Sequence, residues 1–130
     1  MSVSLAAVEA ALLAMRTAIV GASAPAGGWH VGEPDPQTVV WPWVDLQATW
    51  TQSPGTGEAT VVETVHAKDR DEAVALADLL VQSLRNRAYG APAAGVRIVG
   101  HDLLAGPRVV RRLTSTTAEL TWSVLIGWRP

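Results

Sequence analysis

Ala118-Glu119-Leu120-Thr121-Trp122-Ser123-Val124-Leu125-Ile126-Gly127-Trp128 is the stretch that decides the fold class. Ala118, Leu120, Trp122, Val124, Ile126 and Trp128 alternate with Glu119, Thr121, Ser123, Leu125 and Gly127. A period of two marks a half-buried antiparallel strand, with one face on a core and the other open. Such a face needs a covering layer, and the chain has two segments with helical periodicity to supply it.

The first is N-terminal. Leu5, Val8, Leu12, Met15 and Ile19 recur at steps of three and four, which predicts a helix capped by Ser4 and ended by Gly21. Glu9 and Arg16 read as lying off that stripe. The second opens at Asp69, three residues before Glu72, in the spacing of a capping box. Ala73, Leu76, Ala77, Leu80 and Leu84 form its apolar face, Arg85 and Arg87 fall at or beyond its last turn, and Gly90 and Pro92 stop it.

Between the helices, Val39–Trp50 alternates as a strand, with Val44, Leu46, Ala48 and Trp50 on one side and Trp43, Asp45, Gln47 and Thr49 on the other. The turn signal Ser53-Pro54-Gly55-Thr56-Gly57 joins it to a second strand, Glu58–Ala67, as a hairpin. Gly21–Gln37, with Pro25, Pro34 and Pro36, reads as a long loop. After the second helix, Val96–Leu104 reads as a strand, Gly106-Pro107 as a turn, and Arg108–Leu113 as a further short strand. The expected fold is therefore α+β: an antiparallel sheet of about four strands with two helices packed on one face, in a single domain spanning residues 1–130.

Composition limits the function classes. Hydrophobic residues make up 48% and charged residues 17% of the 130, which argues against disorder. Ten Lys and Arg against twelve Asp and Glu argue against a strongly basic nucleic-acid binder. The absence of cysteine removes disulfides, thiolate catalysis and Cys-based zinc sites, and fits the cytosol. Ala22-Ser23-Ala24 superficially resembles a signal cleavage site, but no positive charge precedes the apolar stretch, and Glu9 and Arg16 interrupt it. No signal peptide, transmembrane helix or membrane contact is expected. Charge is uneven along the chain: residues 1–66 carry a net −5 and residues 67–130 a net +3. Opposed charge on two parts of one domain suits head-to-tail self-association, provided folding does not mix the halves.

Catalytic motifs are missing. Gly55-Thr56-Gly57 lacks the third glycine of a dinucleotide loop, and there is no Walker loop, nucleophile elbow or Ser-x-x-Lys. His30, His66 and His101 lack the i, i+4 spacing of a zinc helix, and His101 with Glu63 could act as an acid–base pair only if the fold joined them. No catalytic residue, cofactor or metal is expected. Arg108, Arg111 and Arg112, with Arg97 nearby, form the densest basic cluster; it reads either as a patch for an acidic neighbour or phosphate backbone, or as a charged strand edge that blocks aggregation. Trp43, with Trp41 in the same parity, lies on the polar side of its strand. The pair reads as an interface anchor or as a cover for the helix-free face, whereas Trp50, Trp122 and Trp128 read as core.

Val40-Trp41-Pro42-Trp43-Val44-Asp45-Leu46 resembles the aromatic-Pro-aromatic-Val strand of small tail-terminator proteins of long-tailed phages, a group also named tail-completion or minor tail proteins. Glu58–Asn86, a strand running into Asp71-Glu72-Ala73-Val74-Ala75-Leu76-Ala77-Asp78, is similar to the strand–helix unit of that group. The likeness covers nearly the whole chain and departs at His66-Ala67, where members often carry an aromatic. It implies a non-enzymatic virion protein at the tail–neck junction, assembled in the host cytoplasm. Such a protein forms a homo-oligomeric ring, usually a hexamer, that caps the tail-tube protein, stops its polymerisation and meets the head-closure or connector protein. DNA passes through the lumen without sequence-specific binding. On this reading Trp41 and Trp43 with Glu33 and Asp35 form one contact surface, and Arg108, Arg111 and Arg112 form another. The particle could be a phage, a domesticated tail-like particle or a gene transfer agent. The alternatives are another neck protein such as a head-closure factor, or a small α+β enzyme or ligand-binding domain.

Overall fold

In the computed structural model the chain runs α1 (Leu5–Val20), β1 (Trp29–His30), β2 (Trp43–Ser53), β3 (Thr56–Ala67), α2 (Arg70–Ser83), β4 (Arg97–Arg111) and β5 (Thr116–Gly127). The structure describes residues 3–20, 25–35, 37–89, 92 and 95–128. Gly21, Ala22-Ser23-Ala24, Pro36 and Gly90, named above, lie outside them. The α+β class and the two helices are as expected, but the sheet has five strands in the order β1-β2-β3-β5-β4 and is mixed. β1 runs parallel to β2, through Trp29 opposite Val44 and His30 opposite Asp45, while every other pairing is antiparallel. The loop expected over residues 21–37 thus contains a short edge strand.

Local chemistry explains the rest. The Asp69 carboxylate accepts the Glu72 backbone N–H at 2.8 Å and caps α2; Ser4 Oγ does the same for the Ala7 N–H at 3.2 Å in α1. Pro54-Gly55 closes the β2–β3 hairpin, with Gly55 at φ 80, a conformation that glycine adopts without strain. β5, the cleanest alternation in the sequence, lies between β3 and β4, and its Ala118, Leu120, Trp122, Val124, Ile126 and the adjoining Trp128 are all buried. They pack with Val61 and Val65 of β3 and Val44 and Leu46 of β2 against Val8, Leu12, Met15 and Ile19 of α1 and Ala73, Ala77 and Leu80 of α2. Burying one such Leu or Ile side chain stabilises the fold by roughly 1.5–3 kcal/mol. Among the described residues, no helix is long and apolar enough to cross a membrane.

Two expectations need correction. Gly106-Pro107 is not a turn between two strands; β4 runs continuously from Arg97 to Arg111, with register shifts at Ile98/Gly100, Leu103/Ala105 and Ala105/Arg108. β4 is an edge strand, where proline's missing N–H leaves no ladder bond unmade. Arg16 is not off the apolar stripe either. Its side chain is fully buried, with Nε and one terminal nitrogen donating to the two Glu63 carboxylate oxygens at 2.8 and 2.7 Å.

Candidate assembly surfaces

The strand order divides the sheet between the two halves of the sequence. Residues 29–67 build β1, β2 and β3 on one side of the sheet, and residues 97–127 build β5 and β4 on the other. Of the acids in the first half, Glu63 is spent internally on Arg16, and Asp45 accepts a 2.6 Å hydrogen bond from His66 Nε2. Glu58 is exposed on β3, and Glu33 and Asp35 are exposed in the connection between β1 and β2. Asp35 organises that connection: its carboxylate accepts the Gln37 N–H at 2.9 Å, and its carbonyl accepts those of Thr38 and Val39.

On the opposite edge Arg108, Arg111 and Arg112 are all exposed. Arg108 pairs in register with Glu119 of β5, a favourable cross-strand charge pair, and the Arg112 N–H donates to Ser115 O at 2.8 Å where the β4–β5 hairpin turns. Arg97, expected near this cluster, sits at the far end of β4 opposite Gly127, eight β5 residues from the partner of Arg108 and eleven from that of Arg111, or roughly 26 and 36 Å of strand away.

The tryptophan pair divides. Trp43 projects to the helix-free face, as its parity implies, but its expected exposure is not found: it is only 6% exposed. Its ring stacks on His66 with centroids 3.8 Å apart and planes 4° from parallel, and it meets His30 and Trp41 edge-on at 5.8 and 6.1 Å. His66 lies directly opposite Trp43 in the β2–β3 register, so the stack is a cross-strand pair that neither strand's sequence reveals alone. Trp41 is half-buried at the rim of this cluster. Gly27 lets the preceding segment close on it: its N–H donates to Pro42 O at 2.7 Å, and a Cβ there would stand 1.7 Å from Val40 O.

The histidines do not converge. His30 Nε2 hydrogen-bonds Gly27 O at 2.8 Å, and His101 lies between the Tyr89 hydroxyl, 2.7 Å from its Nδ1, and Leu84 O, which its Nε2 contacts. These partners fit a neutral ring that accepts at Nδ1 and donates at Nε2. Burial lowers the His101 pKa from its ordinary value, with Arg87 and Arg16 adding to the effect and Leu84 O and Asp102 opposing it. Glu63 is not joined to His101. Burial pushes its carboxyl upward and Asp45 adds to that, while the Arg16 charge and hydrogen bonds pull it down. Arg16 itself lies between the rings of Trp29 and Trp122, 5.3 and 5.7 Å from their centroids, and also donates to Ser83 Oγ and Leu80 O. A cleft of about 330 Å³ near β4 is lined by Glu58, Arg87, Gly100, His101, Asp102 and Ser123. Among the described residues, no group of three or more His, Asp or Glu side chains could hold a metal ion.

The Arg16–Glu63 pair is missing from the sequence expectations, although the sequence carries its signal. Arg16 is four residues from Leu12 and three from Ile19, on the stripe itself, and Glu63 shares the inward parity of Val61 and Val65.

No family model and no curated protein matches this chain. Among solved structures it is similar to a chain from the virion of a native gene transfer agent particle, with a TM-score of 0.62 and 18% sequence identity over 95% of this chain and 99% of that one. At that identity the likeness is one of fold, and it extends from end to end of both chains.

Proposed function

We propose that this protein is a structural virion component: a ring-forming tail terminator that caps the tail tube and offers the joining surface to the head. The observation that carries this reading is the near-complete overlap of its fold with a chain of a gene transfer agent virion, a phage-like particle. The tail-terminator resemblance of Val40–Leu46 and of the β3–α2 unit supports the narrower role. The mechanism is geometric and needs no catalysis. A heterologous contact repeated by rotation closes into a ring, and a ring whose second face lacks the tube's stacking contact ends the tube. The placement of Glu33 and Asp35 at one edge of the sheet and of Arg108, Arg111 and Arg112 at the other suits such a contact. DNA passes through the lumen, which requires no base-specific recognition.

Tube assembly gives the test. Added to polymerising tail-tube protein from the same particle, the protein is expected to shorten the tubes and appear at one end of each by electron microscopy. Tubes of unchanged length, with no terminal density, contradict the terminator role. Capped tubes that still fail to join heads leave the terminator role standing and assign head joining to another protein.

A further inference from the structure

Two exposed strips sit at opposite edges of the sheet, at the same level. His30, Asp45, Thr64, Glu119 and Arg108 form one cross-strand row through all five strands. The acidic connection leaves β1 at one end of that row, and the arginine cluster lies at the other, roughly 19 Å across the sheet.

Each strip mixes apolar and charged side chains. On the β1 side Val31 and Val40 are 43% and 57% exposed beside Glu33 and Asp35. On the β4 side Leu103 and Leu104 are 41% and 57% exposed, and Leu113 at the hairpin tip is fully so, beside Arg108, Arg111 and Arg112. The β4 strip also holds the exposed carboxylates of Asp102 and Glu119, but its three arginines outnumber them, and exposed aliphatic side chains beside an arginine excess, facing a carboxylate strip, are what a specific interface needs. The strips lie on different surfaces of one molecule, so their pairing is heterologous and carries the chain head to tail.

We infer that the outer edge of β4 in one copy docks on Val31, Glu33, Asp35 and Val40 of the next copy, with Arg108, Arg111 and Arg112 facing Glu33 and Asp35. The inference rests on the ring reading above and names the contact that closes the ring. It also assigns the arginines to a neighbouring subunit in preference to the DNA path. The contact is made by side chains, because three register shifts and Pro107 break up the β4 edge and oppose addition of another strand.

Sedimentation of four purified proteins tests this. In one variant, Glu33→Arg with Asp35→Asn, the asparagine keeps an acceptor for the Gln37 N–H. The second variant is Arg111→Glu with Arg112→Glu, and the third protein combines all four changes. All these positions are exposed, and circular dichroism checks that each variant folds. Against an oligomeric wild type, each two-residue variant is expected to sediment as a monomer, and the four-residue variant, with both signs exchanged, to recover the oligomer. Wild-type-like oligomers in both two-residue variants overturn this contact and leave the ring reading intact. Loss in both without recovery in the combined protein overturns the direct pairing of the two strips. A wild type that stays monomeric at every concentration overturns the ring reading, and the contact with it.

Discussion

Each face of the sheet holds a carboxylate bound to a nitrogen side chain beside tryptophan, and the two sites differ in how much water reaches them. On the helix-covered face, Arg16 and Glu63 have side-chain exposures of 0% and 0%, enclosed by Trp29 and Trp122. On the helix-free face, His66 and Asp45 retain 21% and 12%, with Trp43 stacked on the imidazole. The first site ties α1, α2 and β3 together through the Arg16 bonds to Glu63, Ser83 and Leu80, so its loss is felt throughout the core. The second joins only β2 and β3, and water can replace part of what is lost.

The largest expected effect comes from breaking the covered pair. Arg16→Ala leaves Glu63 buried without its partner and should destabilise the protein by about 3–5 kcal/mol, read from urea denaturation. Arg16→Met with Glu63→Leu removes both charges and should recover most of that loss, because a packed apolar pair avoids the desolvation penalty. A double variant as unstable as Arg16→Ala would mean that the pair contributes more than mutual neutralisation. Gly27→Ala comes next. Its Cβ would collide with backbone Val40 O, and the forced shift of the 40–43 segment should destabilise by about 1–3 kcal/mol and loosen the Trp43 cluster, visible in tryptophan fluorescence. Asp45→Asn, on the wetter face, should lose only about 1 kcal/mol.

His101 tests burial through pH. Its pKa is depressed in the folded state, so its contribution to stability is complete above the unfolded value of about 6.5 and is lost as pH falls from there through the folded value. The urea midpoint should therefore drop between pH 7.5 and 5, and His101→Gln should flatten that part of the dependence. An unchanged slope in the variant would assign the acid sensitivity to other groups. The smallest effect on stability belongs to Arg111→Glu with Arg112→Glu, within about 0.5 kcal/mol at exposed positions.

What the sequence revealed follows the same division between faces. Where one strand or helix decides its own burial, the pattern was legible: the alternation of Ala118–Trp128, the Asp69 cap of α2 and most core positions of both helices appear in the structure, the exceptions being Leu5, 46% exposed in the first turn of α1, and Leu76, half-buried. Where burial depends on a partner from elsewhere in the chain, it was not. Trp43 is covered by His66, His30 and Trp41, brought together by the β2–β3 register and by a two-residue strand hidden among Pro25, Gly27, Gly28 and Gly32. Proline interrupts an inner strand, so Gly106-Pro107 reads as a break in the sequence, and only the strand order reveals that β4 is an edge. Of the proposed contact residues, Arg108, Arg111, Arg112, Glu33 and Asp35 stood out as charges, but their places at two ends of one cross-strand row come from topology alone.

The most direct measurement is the mass of the wild-type protein in solution, by light scattering across a concentration series. Head-to-tail closure of six 13.7 kDa chains predicts a discrete species near 82 kDa that does not grow further as concentration rises. A two-fold dimer or a monomer at every concentration would contradict a ring closed through the two sheet edges.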